Sequence, residues 1–566
     1  MTTAYPTECL ATRQPAEPQP RAQPRVQRAP LLLALLAVTA GTALIGRTYS
    51  VFSQTYDEPA HLACGTEWLD RGTYNLEAMH PPLARVAIAI LPYVAGARSQ
   101  GFPYLWTEGN AILEHNGHYW RTLTLARLGI LPFFWLTCFL VWRYMARAFS
   151  GWHAAIAVWL LAFCPVVLAH ASVATTDAPL MALFLASLLA LEALLQHPKW
   201  STALAAGVVI ALASLAKFSE MPFLACSGAI LLLYHWVSEK RFPVPWRDLL
   251  LTLAAFALTI WAGYRFSLGP IVNPGDLAPE QQAKFARLPS WEKKLLVVPY
   301  MPAEEFFRGL KVNRYQGIAG RRGSYLLGEV YDGGRWYFFP VALLVKTPIP
   351  LLLLSLSGAA WLLIKRSGLW DRRTVFLIAG VVGPLTVGMA GSMNLGLRHV
   401  LPVYPFLAML AAVAAVELWK LQVAPALGTT LRVPVVLLLA WSVVTCVRDA
   451  PDFLAYFNEP AQPYASRILV ESDLDWGQDL ERLSQRLDAL HVHSVWLCYF
   501  GVADFSKRLA QTAHELKPGD RPTGWVAISE ARLRKRPNEY GWLAVYPYER
   551  VGSSIRLYHF ASPPNA

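Results

Sequence analysis

The segment PLLLALLAVTAGTALIGRTYSVFSQTYDEPAH, residues 30–61, joins an apolar stretch to a polar loop and decides how the rest of the chain is interpreted. Residues 31–46 carry no charge and approach the length needed to cross about 30 Å of hydrocarbon. In lipid such a stretch can only be a helix, because each backbone amide needs an internal partner. The segment therefore predicts a membrane helix followed at once by the ionisable residues Asp57, Glu58 and His61.

The composition is that of a membrane protein with many spans. Of the 566 residues, 55% are hydrophobic and 16% are charged, and the mean hydropathy is +0.33. These values exclude an ordinary soluble protein and a fibrous one. The net charge of +12 would suggest nucleic-acid binding in a soluble domain. Here Lys and Arg are dispersed through short loops, where they set membrane topology instead.

Neither the cysteines nor the N-terminus predict a folded module. The seven cysteines show no CxxC spacing, so we expect no disulfide framework and no structural zinc. Residues 1–29 are rich in Pro, Gln and Arg and predict a disordered cytoplasmic tail. Residues 31–46 also fit the apolar region of a signal peptide. We prefer a retained first helix, because many further spans follow it.

Eleven apolar segments predict a polytopic, all-α membrane domain over residues 30–447. The segment 83–97 is only about half a span and contains Pro92, so we place it in the interface. This leaves 47–122 as one outer loop and 269–338 as another, and it puts the basic loops in the cytoplasm. The predicted spans are 30–46, 123–142, 152–170, 178–196, 201–216, 221–238, 248–268, 339–364, 374–391, 399–418 and 431–447.

After residue 447 the pattern changes to short strands and an amphipathic helix. Residues 467–470 and 495–500 predict strands, and a helix is expected to open at Asp475 and to continue through Leu480, Leu483 and Leu487. We therefore predict a small α/β domain over 448–566, on the outer side because an odd number of crossings precedes it. Asp473 and Asp475 fit an N-cap with its neighbour.

The acids Asp57 and Glu58 allow two interpretations. They fit the N-terminus of a loop helix, where a negative charge is favourable. They also fit catalysis, because a carboxylate partly desolvated at a membrane surface has a raised proton affinity and suits a general base that deprotonates an acceptor hydroxyl. His80 with its two following prolines fits either a rigid turn or a donor to a phosphate oxygen. Glu58, His61 and His80 could instead hold a metal, although their spacing matches no standard ligand motif.

Ionisable residues recur at the predicted outer ends of later spans. Asp177 fits a helix start and Lys217 fits a snorkelling lysine. Arg398 and His399 precede a span, so both cations meet the positive end of a helix dipole. This is unfavourable unless an anion is bound, and it indicates a phosphate. Lys346 lies inside an apolar segment, where an ionisable residue indicates function.

The outer loop 269–338 contains a second group of candidate residues. Arg321 and Arg322, with Tyr325 and Tyr331 nearby, fit a surface for a lipid-linked anion and a sugar ring. They equally fit solvated loop charges.

Eight motifs, in this order along the chain, resemble the family-39 branch of the GT-C membrane glycosyltransferases, which includes protein O-mannosyltransferases and the aminoarabinose transferases of lipid A. The similarity extends over nearly the whole chain. The motifs are YDEPAH (56–61), HPPLA (80–84), AHASVATTD (169–177), AKF (216–218), SYLLGE (324–329), VKTP (345–348), NLGLRHVLP (394–402) and DWGQDL (475–480).

The resemblance implies a GT-C type helical core with juxtamembrane helices in the first outer loop. It also implies a polyprenyl-phosphate sugar as donor and an inverting transfer in which Asp57 is the base. Such a displacement needs a base on one face of the sugar and cations on the other. The remaining assignments are Glu58 and Asp177 as secondary acids, His80, Lys217, Arg398 and His399 as phosphate contacts, and Arg321, Arg322, Tyr325 and Lys346 as substrate contacts.

The sequence commits us to no cofactor, and a divalent metal is possible. The aminoarabinose transferases tend to have a lysine where this chain has His80, which argues against that sugar and against lipid A as acceptor. The predicted partners are the lipid-linked sugar, membrane lipids and an acceptor protein, lipid or polysaccharide. The predicted location is the cell inner membrane, with the active site extracytoplasmic. A transporter or flippase for a lipid-linked saccharide and a non-catalytic scaffold are the rival functions.

Overall fold

The computed structural model describes residues 28–240, 243–272, 274–276, 279–319, 323–365, 371–421 and 425–564. Most of the predicted N-terminal tail therefore lies outside the described residues. In chain order the helices up to residue 448 are α1 Arg28–Thr48, α2 Glu58–Asp70, α3 Pro82–Val94, α4 Leu105–Glu114, α5 Tyr119–Leu128, α6 Leu131–Ala148, α7 Gly151–Ala162, α8 Pro165–Ala171, α9 Asp177–Gln196, α10 Trp200–Ala216, α11 Glu220–Glu239, α12 Trp246–Gly263, α13 Pro279–Ala286, α14 Ser290–Leu296, α15 Glu304–Ala319, α16 Phe338–Lys346, α17 Ile349–Lys365, α18 Arg372–Ala390, α19 Tyr404–Lys420 and α20 Pro425–Arg448.

A helix lies over each of the eleven predicted spans, and the multi-pass membrane architecture is confirmed. In the described part of the chain, seven helices are long and apolar enough to cross a membrane, and the number rises to nine if each of two bent pairs is one span. The 17-residue α10 is a shorter apolar helix. The number eleven therefore stays a prediction.

Two segments predicted as single spans are bent. The helices α7 and α8 meet at 67°, and α16 and α17 meet at 117°. Pro165 and Pro348 lie at these breaks, because proline lacks the amide that would continue the preceding helix. At the second break the side-chain amide of Asn458 donates to the carbonyls of Leu344, at 2.6 Å, and Thr347, at 3.1 Å. Lys346 therefore ends a helix and does not lie in the middle of one.

The helix α1 is part of the bundle and not a detached N-terminal segment. Its buried face is made of small residues that include Ala34, Ala37 and Gly41. A Cβ added at Gly41 would lie 3.0 Å from the carbonyl oxygen of Ala162 in α7. Small residues at such a crossing let two helices approach closely in a membrane. The retention of this helix in the mature protein stays a prediction.

The core lies around α9 and α19, which are buried over most of their length. The helix α12 instead exposes Leu249, Leu250, Leu253 and Leu258, as expected for a face in contact with lipid. Asp177 begins α9, and the 3-10 turn Leu397–Val403 leads into α19. Among the candidate membrane spans of the described residues, these two have the largest buried shares, and each begins at or next to a polar residue that the sequence singled out.

The C-terminal part is a small α/β unit, as predicted. Its sheet has five strands, in the spatial order β6 (Thr512–Glu515), β5 (Ser494–Cys498), β7 (Gly524–Ser529), β9 (Ile555–Phe560) and β8 (Glu549–Val551). The strand β5 is parallel to β6 and β7, and β9 is antiparallel to β7 and β8. Leu480, Leu483 and Leu487 of α22 pack in the same core as Val495 and Leu557 of the sheet. The elements are α21 Ala465–Ile468, α22 Leu480–Ala489, β5 Ser494–Cys498, α23 Phe505–Arg508, β6 Thr512–Glu515, β7 Gly524–Ser529, α24 Glu530–Lys535, α25 Pro537–Tyr540, β8 Glu549–Val551 and β9 Ile555–Phe560.

The predicted strand at 467–470 is wrong. Residues up to Ile468 form the short helix α21, and only Leu469 and Val470 have extended backbone. The carbonyl of Ile468 accepts a hydrogen bond from the amide of Leu327, at 2.9 Å. That residue follows β3 Ser324–Leu326, which pairs with β4 Glu329–Tyr331 in a separate hairpin. A second short antiparallel pair of strands consists of β1 Leu268–Gly269 and β2 Met301–Pro302.

Candidate active site

Asp57 lies between α1 and α2, where the chain leaves the bundle and enters the loop 47–122. It occupies the N-cap position of α2, but its side chain makes no capping hydrogen bond. The side chain is 26% exposed. Arg398 donates from Nη1 to Oδ2 of Asp57 at 2.7 Å. The capping interpretation therefore does not account for this acid, and its charge is directed to a cation that is 341 residues away in sequence.

The same arginine connects Asp57 to a buried ion pair. Asp177 is fully buried and accepts from Lys217 Nζ, with 2.6 Å between Nζ and Oδ1. Its Oδ2 lies 3.5 Å from Arg398 Nη1 and 3.3 Å from the hydroxyl of Thr175. We call Asp57, Asp177, Lys217 and Arg398 the Asp57 cluster. Buried charges need partners of opposite sign, and two acids with two bases meet that need.

The environment of Arg398 differs from the prediction in one respect. Its position at the start of a span indicated a bound phosphate, and in the structure Asp57 and Asp177 supply negative charge there. The guanidinium also lies over the ring of Trp476, with 4.4 Å from Cζ to the ring centroid. Its Nε is buried and has no hydrogen-bond partner among the described residues. Part of its donor capacity is therefore unused.

Glu58 is held very differently from its neighbour. Both oxygens accept from Arg127, with Nε to Oε1 at 2.8 Å and Nη2 to Oε2 at 2.9 Å. The amides of Thr55, at 2.7 Å, and Ala174, at 2.8 Å, donate to the same carboxylate. Burial alone would raise the pKa of Glu58, but Arg127 and these hydrogen bonds hold the pKa below its ordinary value. Glu58 is ionised and fully occupied within the fold.

Sequence reasoning did not identify Arg127 as a partner. The residue is fully buried and also donates to the carbonyls of Phe52, at 2.9 Å, and Ser53, at 3.0 Å. Its position inside a predicted span was the available signal, because an ionisable residue at that depth needs a partner. We call Glu58 and Arg127, with the amides of Thr55 and Ala174, the Glu58 cluster.

Two histidines of the loop 47–122 lie beside each other. The rings of His61 and His80 are 5.2 Å apart and meet edge to face. His80 Nδ1 is 3.3 Å from a carboxylate oxygen of Glu77, which also pairs with Arg85. Burial, and then Lys217, lowers the pKa of His80 to about 4. His80 is therefore neutral near pH 7 and offers a hydrogen bond instead of a charge.

His399 follows Arg398 in the 3-10 turn and is half-buried. Its amide donates to the carbonyl of Gly396 at 3.3 Å. It lies within electrostatic range of Asp177. The structure thus places this predicted phosphate contact next to the Asp57 cluster.

Two of the predicted substrate contacts, Arg321 and Arg322, lie outside the described residues. The other two, Tyr325 and Lys346, lie apart from the Asp57 cluster. Lys346 is buried and donates to the carbonyls of Leu454, at 2.9 Å, and Asp473. Tyr325 is also buried, and its hydroxyl donates to the carbonyl of Ser466 at 3.1 Å. Both side chains bind the protein itself, and their contact with substrate stays a prediction.

The alternative of a metal held by Glu58, His61 and His80 does not form, because Arg127 occupies the glutamate. Within the described ranges, no group of three or more His, Cys, Asp or Glu side chains is arranged to hold a metal ion.

A family model matches the region that carries half of the cluster. Residues 122–261 match the model described as dolichyl-phosphate-mannose-protein mannosyltransferase. The matched stretch contains Asp177 and Lys217. The chain is similar to the family-39 membrane glycosyltransferases. The match confirms the resemblance that the motifs predicted, and no protein in a search of curated sequences matches the chain.

Three solved structures of membrane proteins are similar over most of the chain. ArnT from Cupriavidus metallidurans in the apo state is 13% identical, covering 94% of this chain and 98% of that chain, with a TM-score of 0.45. The same protein bound to undecaprenyl phosphate is 13% identical, with coverages of 93% and 97% and a TM-score of 0.45. The Pmt1-Pmt2 complex of S. cerevisiae bound to the sugar donor is 12% identical, with coverages of 75% and 90% and a TM-score of 0.48. These scores are too low to define the fold by themselves.

Proposed function

We propose that this protein is an integral-membrane glycosyltransferase that moves a sugar from a polyprenyl-phosphate carrier to an acceptor hydroxyl, with inversion at the anomeric carbon. The observation that carries the proposal is the Asp57 cluster. A partly exposed carboxylate lies 2.7 Å from an arginine that also reaches a buried Asp–Lys pair. The matching family model, whose description names a dolichyl-phosphate sugar, supports a lipid phosphate as the donor.

In the proposed reaction Asp57 takes the proton of the acceptor hydroxyl. The acceptor oxygen then attacks the anomeric carbon, and the bond between that carbon and the phosphate oxygen breaks. The electron pair leaves with the lipid phosphate, whose charge Arg398 and Lys217 stabilise. His80, neutral at pH 7 because burial lowers its pKa, donates a hydrogen bond to the same phosphate, and His399 contacts it as well.

The contact between Asp57 and Arg398 suggests how the donor prepares the base. An arriving phosphate competes with Asp57 for the guanidinium, because both are anions that bind the same donors. Asp57 is then released toward the acceptor. Asp177 has no such exposure and keeps Lys217 and Arg398 in place. In this mechanism Asp177 positions the cations, and Glu58 positions the backbone that carries Asp57.

The proposed location is the inner membrane, with the Asp57 cluster and the C-terminal α/β unit on the outer face. The basic loops at 143–147 and 238–247 support this orientation, because such loops stay in the cytoplasm. The proposed acceptor is a hydroxyl of a protein, a lipid or a polysaccharide of the cell envelope.

Mass spectrometry of envelope lipids and glycoproteins tests the proposal in cells that lack the gene and carry plasmid-borne variants. We expect Asp57→Asn, like the deletion, to lose one glycan and to accumulate its prenyl-phosphate sugar. Asp70→Asn is the matched control, because Asp70 is equally exposed, at 25%, and lies near Arg98 in the same loop. Restored glycosylation with Asp57→Asn, or no precursor in the deletion strain, would overturn the proposed function.

A further inference from the structure

A short segment of the C-terminal region, residues 471–478, contacts both chain segments that carry the ends of the Asp57 cluster. We call it the connector. On one side it binds the stretch before Asp57. The amide of Tyr56 donates to the carbonyl of Trp476 at 2.9 Å. The amide and hydroxyl of Ser53 donate to the carbonyl of Gln478, at 3.0 and 2.8 Å. The backbone leading into Asp57 is thus aligned by the connector.

On its other side the connector binds the turn before Arg398. The hydroxyl of Ser472 donates to the carbonyl of Leu395 at 2.8 Å, and the amide of Leu397 donates to Oδ1 of Asp473 at 3.0 Å. Gly396 has a φ of +136°, and a Cβ there would collide with the Ser472 hydroxyl. Only glycine fits this approach. Asp57 and Arg398 are therefore each attached to the same short segment.

Trp476 makes the most direct contact between the connector and the cluster. Its side chain is buried, and Arg398 lies over its ring face at 4.4 Å from the centroid. A guanidinium over an indole face is attracted more strongly when water is excluded. The rings of Trp476 and His170 also meet at a steep angle, with 6.3 Å between their centroids. The indole face therefore contacts the Arg398 guanidinium, which binds Asp57 and Asp177.

The connector itself is firmly attached to the protein. Asp475 is fully buried and accepts from the amides of Ala531, at 2.9 Å, and Gly477, at 3.3 Å. The hydroxyl of Tyr499 donates to the carbonyl of Gly477 at 2.5 Å. Lys346 also donates to the carbonyl of Asp473. This lysine therefore supports the connector, and its depth in the bundle is explained without substrate.

We propose that Trp476 is a positioning residue of the transfer reaction, holding the Arg398 guanidinium in the plane from which it bridges Asp57 and Asp177. The C-terminal α/β unit thereby completes the site in the membrane domain. The proposal rests on the proposed function, since the reaction it serves is the transfer described above. It goes further in assigning a role to a side chain that the sequence analysis had noted only as part of the motif DWGQDL.

A double-mutant cycle between Trp476 and Arg398 tests the proposal. Transfer is measured in membranes that hold the full-length chain, with the prenyl-phosphate sugar extracted from the deletion strain as donor. We expect Trp476→Leu to lower the transfer rate about tenfold to thirtyfold and Trp476→Phe, which keeps a ring face, to restore most of it. Because the two residues act together, Trp476→Leu should add little to the loss caused by Arg398→Lys.

The control is Trp542→Leu, because Trp542 also lies under an arginine, Arg521, at 4.2 Å, in the same C-terminal unit. This variant should leave the rate unchanged. Equal rates for the two Leu variants, or losses of Trp476→Leu and Arg398→Lys that simply multiply, would overturn the role of Trp476. If Trp476→Leu does not fold, the cycle is run with Trp476→Met, which also removes the ring face, under the same criterion. If Asp57→Asn retains transfer, the proposed function fails, and the role of Trp476 in it fails with it.

Discussion

The Asp57 cluster and the Glu58 cluster begin at adjacent residues, yet they are built for opposite purposes. The Glu58 carboxylate is 1% exposed and accepts four hydrogen bonds, two of them from an arginine that serves no other acid among the described residues. The Asp57 carboxylate is 26% exposed and binds an arginine that it shares with Asp177. The difference indicates that of two adjacent acids one is scaffold and the other is available to react.

The comparison also explains why both acids are needed. Glu58 binds the amides of Thr55 and Ala174, and so it attaches the segment before α2 to the segment before α9. Asp57 and Asp177, the two acids that Arg398 joins, lie directly beyond these anchor points. The Glu58 cluster, in which the carboxylate is fully hydrogen-bonded, therefore sets the geometry of the Asp57 cluster.

The largest expected effect is on stability and comes from breaking the Glu58 cluster. Glu58→Gln leaves the buried Arg127 charge without a counterion, which costs about 3–5 kcal/mol. Thermal unfolding of the purified protein in detergent measures this loss. Because the pKa of Glu58 is lowered in the fold, its contribution is present above the ordinary value of 4.5 and is lost as pH falls through the lowered one. The wild type should therefore lose stability in acid more steeply than Glu58→Gln, and parallel curves would contradict the ion pair.

A substitution in the Asp57 cluster should act on rate instead. Arg398→Lys keeps the charge but loses the fork that reaches two carboxylates and the flat face over Trp476. We expect transfer to fall about 10²-fold, with the melting temperature little changed. Arg265→Lys is the control, because Arg265 lies over Trp68 at 4.5 Å, away from the cluster. A loss of the same size in both variants would remove the distinction.

A smaller effect is expected at Tyr325. Its hydroxyl donates to the carbonyl of Ser466, so Tyr325→Phe should cost about 1 kcal/mol of stability. The transfer rate should stay within about twofold of wild type. A rate loss of tenfold or more without loss of stability would show that Tyr325 contacts the substrate after all.

The smallest expected effect is a pH dependence that does not appear. Burial lowers the pKa of His80 to about 4, so the imidazole stays neutral from pH 5.5 to 8, where an ordinary histidine would titrate near 6.5. Transfer rates of wild type and His80→Asn should have the same shape over this range, whatever their absolute values. If the wild-type transfer rate changes near pH 6.5 and His80→Asn abolishes that change, His80 titrates in the working protein.

Most of the membrane architecture could be predicted from the sequence, because hydrocarbon accepts only helices of sufficient apolar length. The bends at Pro165 and Pro348 could not be located by apolar length alone, since each bent pair is apolar enough over its whole length to count as one span. The strand predicted at 467–470 failed for a related reason. Ile468, Leu469 and Val470 have the composition of a strand, but no strand among the described residues pairs with them, and pairing is a property of the fold.

The site was predicted in its members and not in its connections. Placing Asp57, Asp177, Lys217 and Arg398 on one side of the membrane followed from counting spans and basic loops. That Arg398 would bind two carboxylates required contacts across 341 and 221 positions of sequence. The pair of Glu58 with Arg127 has the same origin, and no local pattern specifies it.

The most direct test measures transfer per folded molecule for Asp57→Asn and Glu58→Gln side by side. The monodisperse fraction of each variant is quantified, and its transfer rate is divided by that amount. We predict that Asp57→Asn yields normal amounts of folded protein with transfer reduced about 10²- to 10⁴-fold. Glu58→Gln should yield less folded protein that keeps most of its transfer. The reverse outcome, in which Asp57→Asn transfers normally and folded Glu58→Gln does not, would contradict the assignment of Asp57 as the reactive acid.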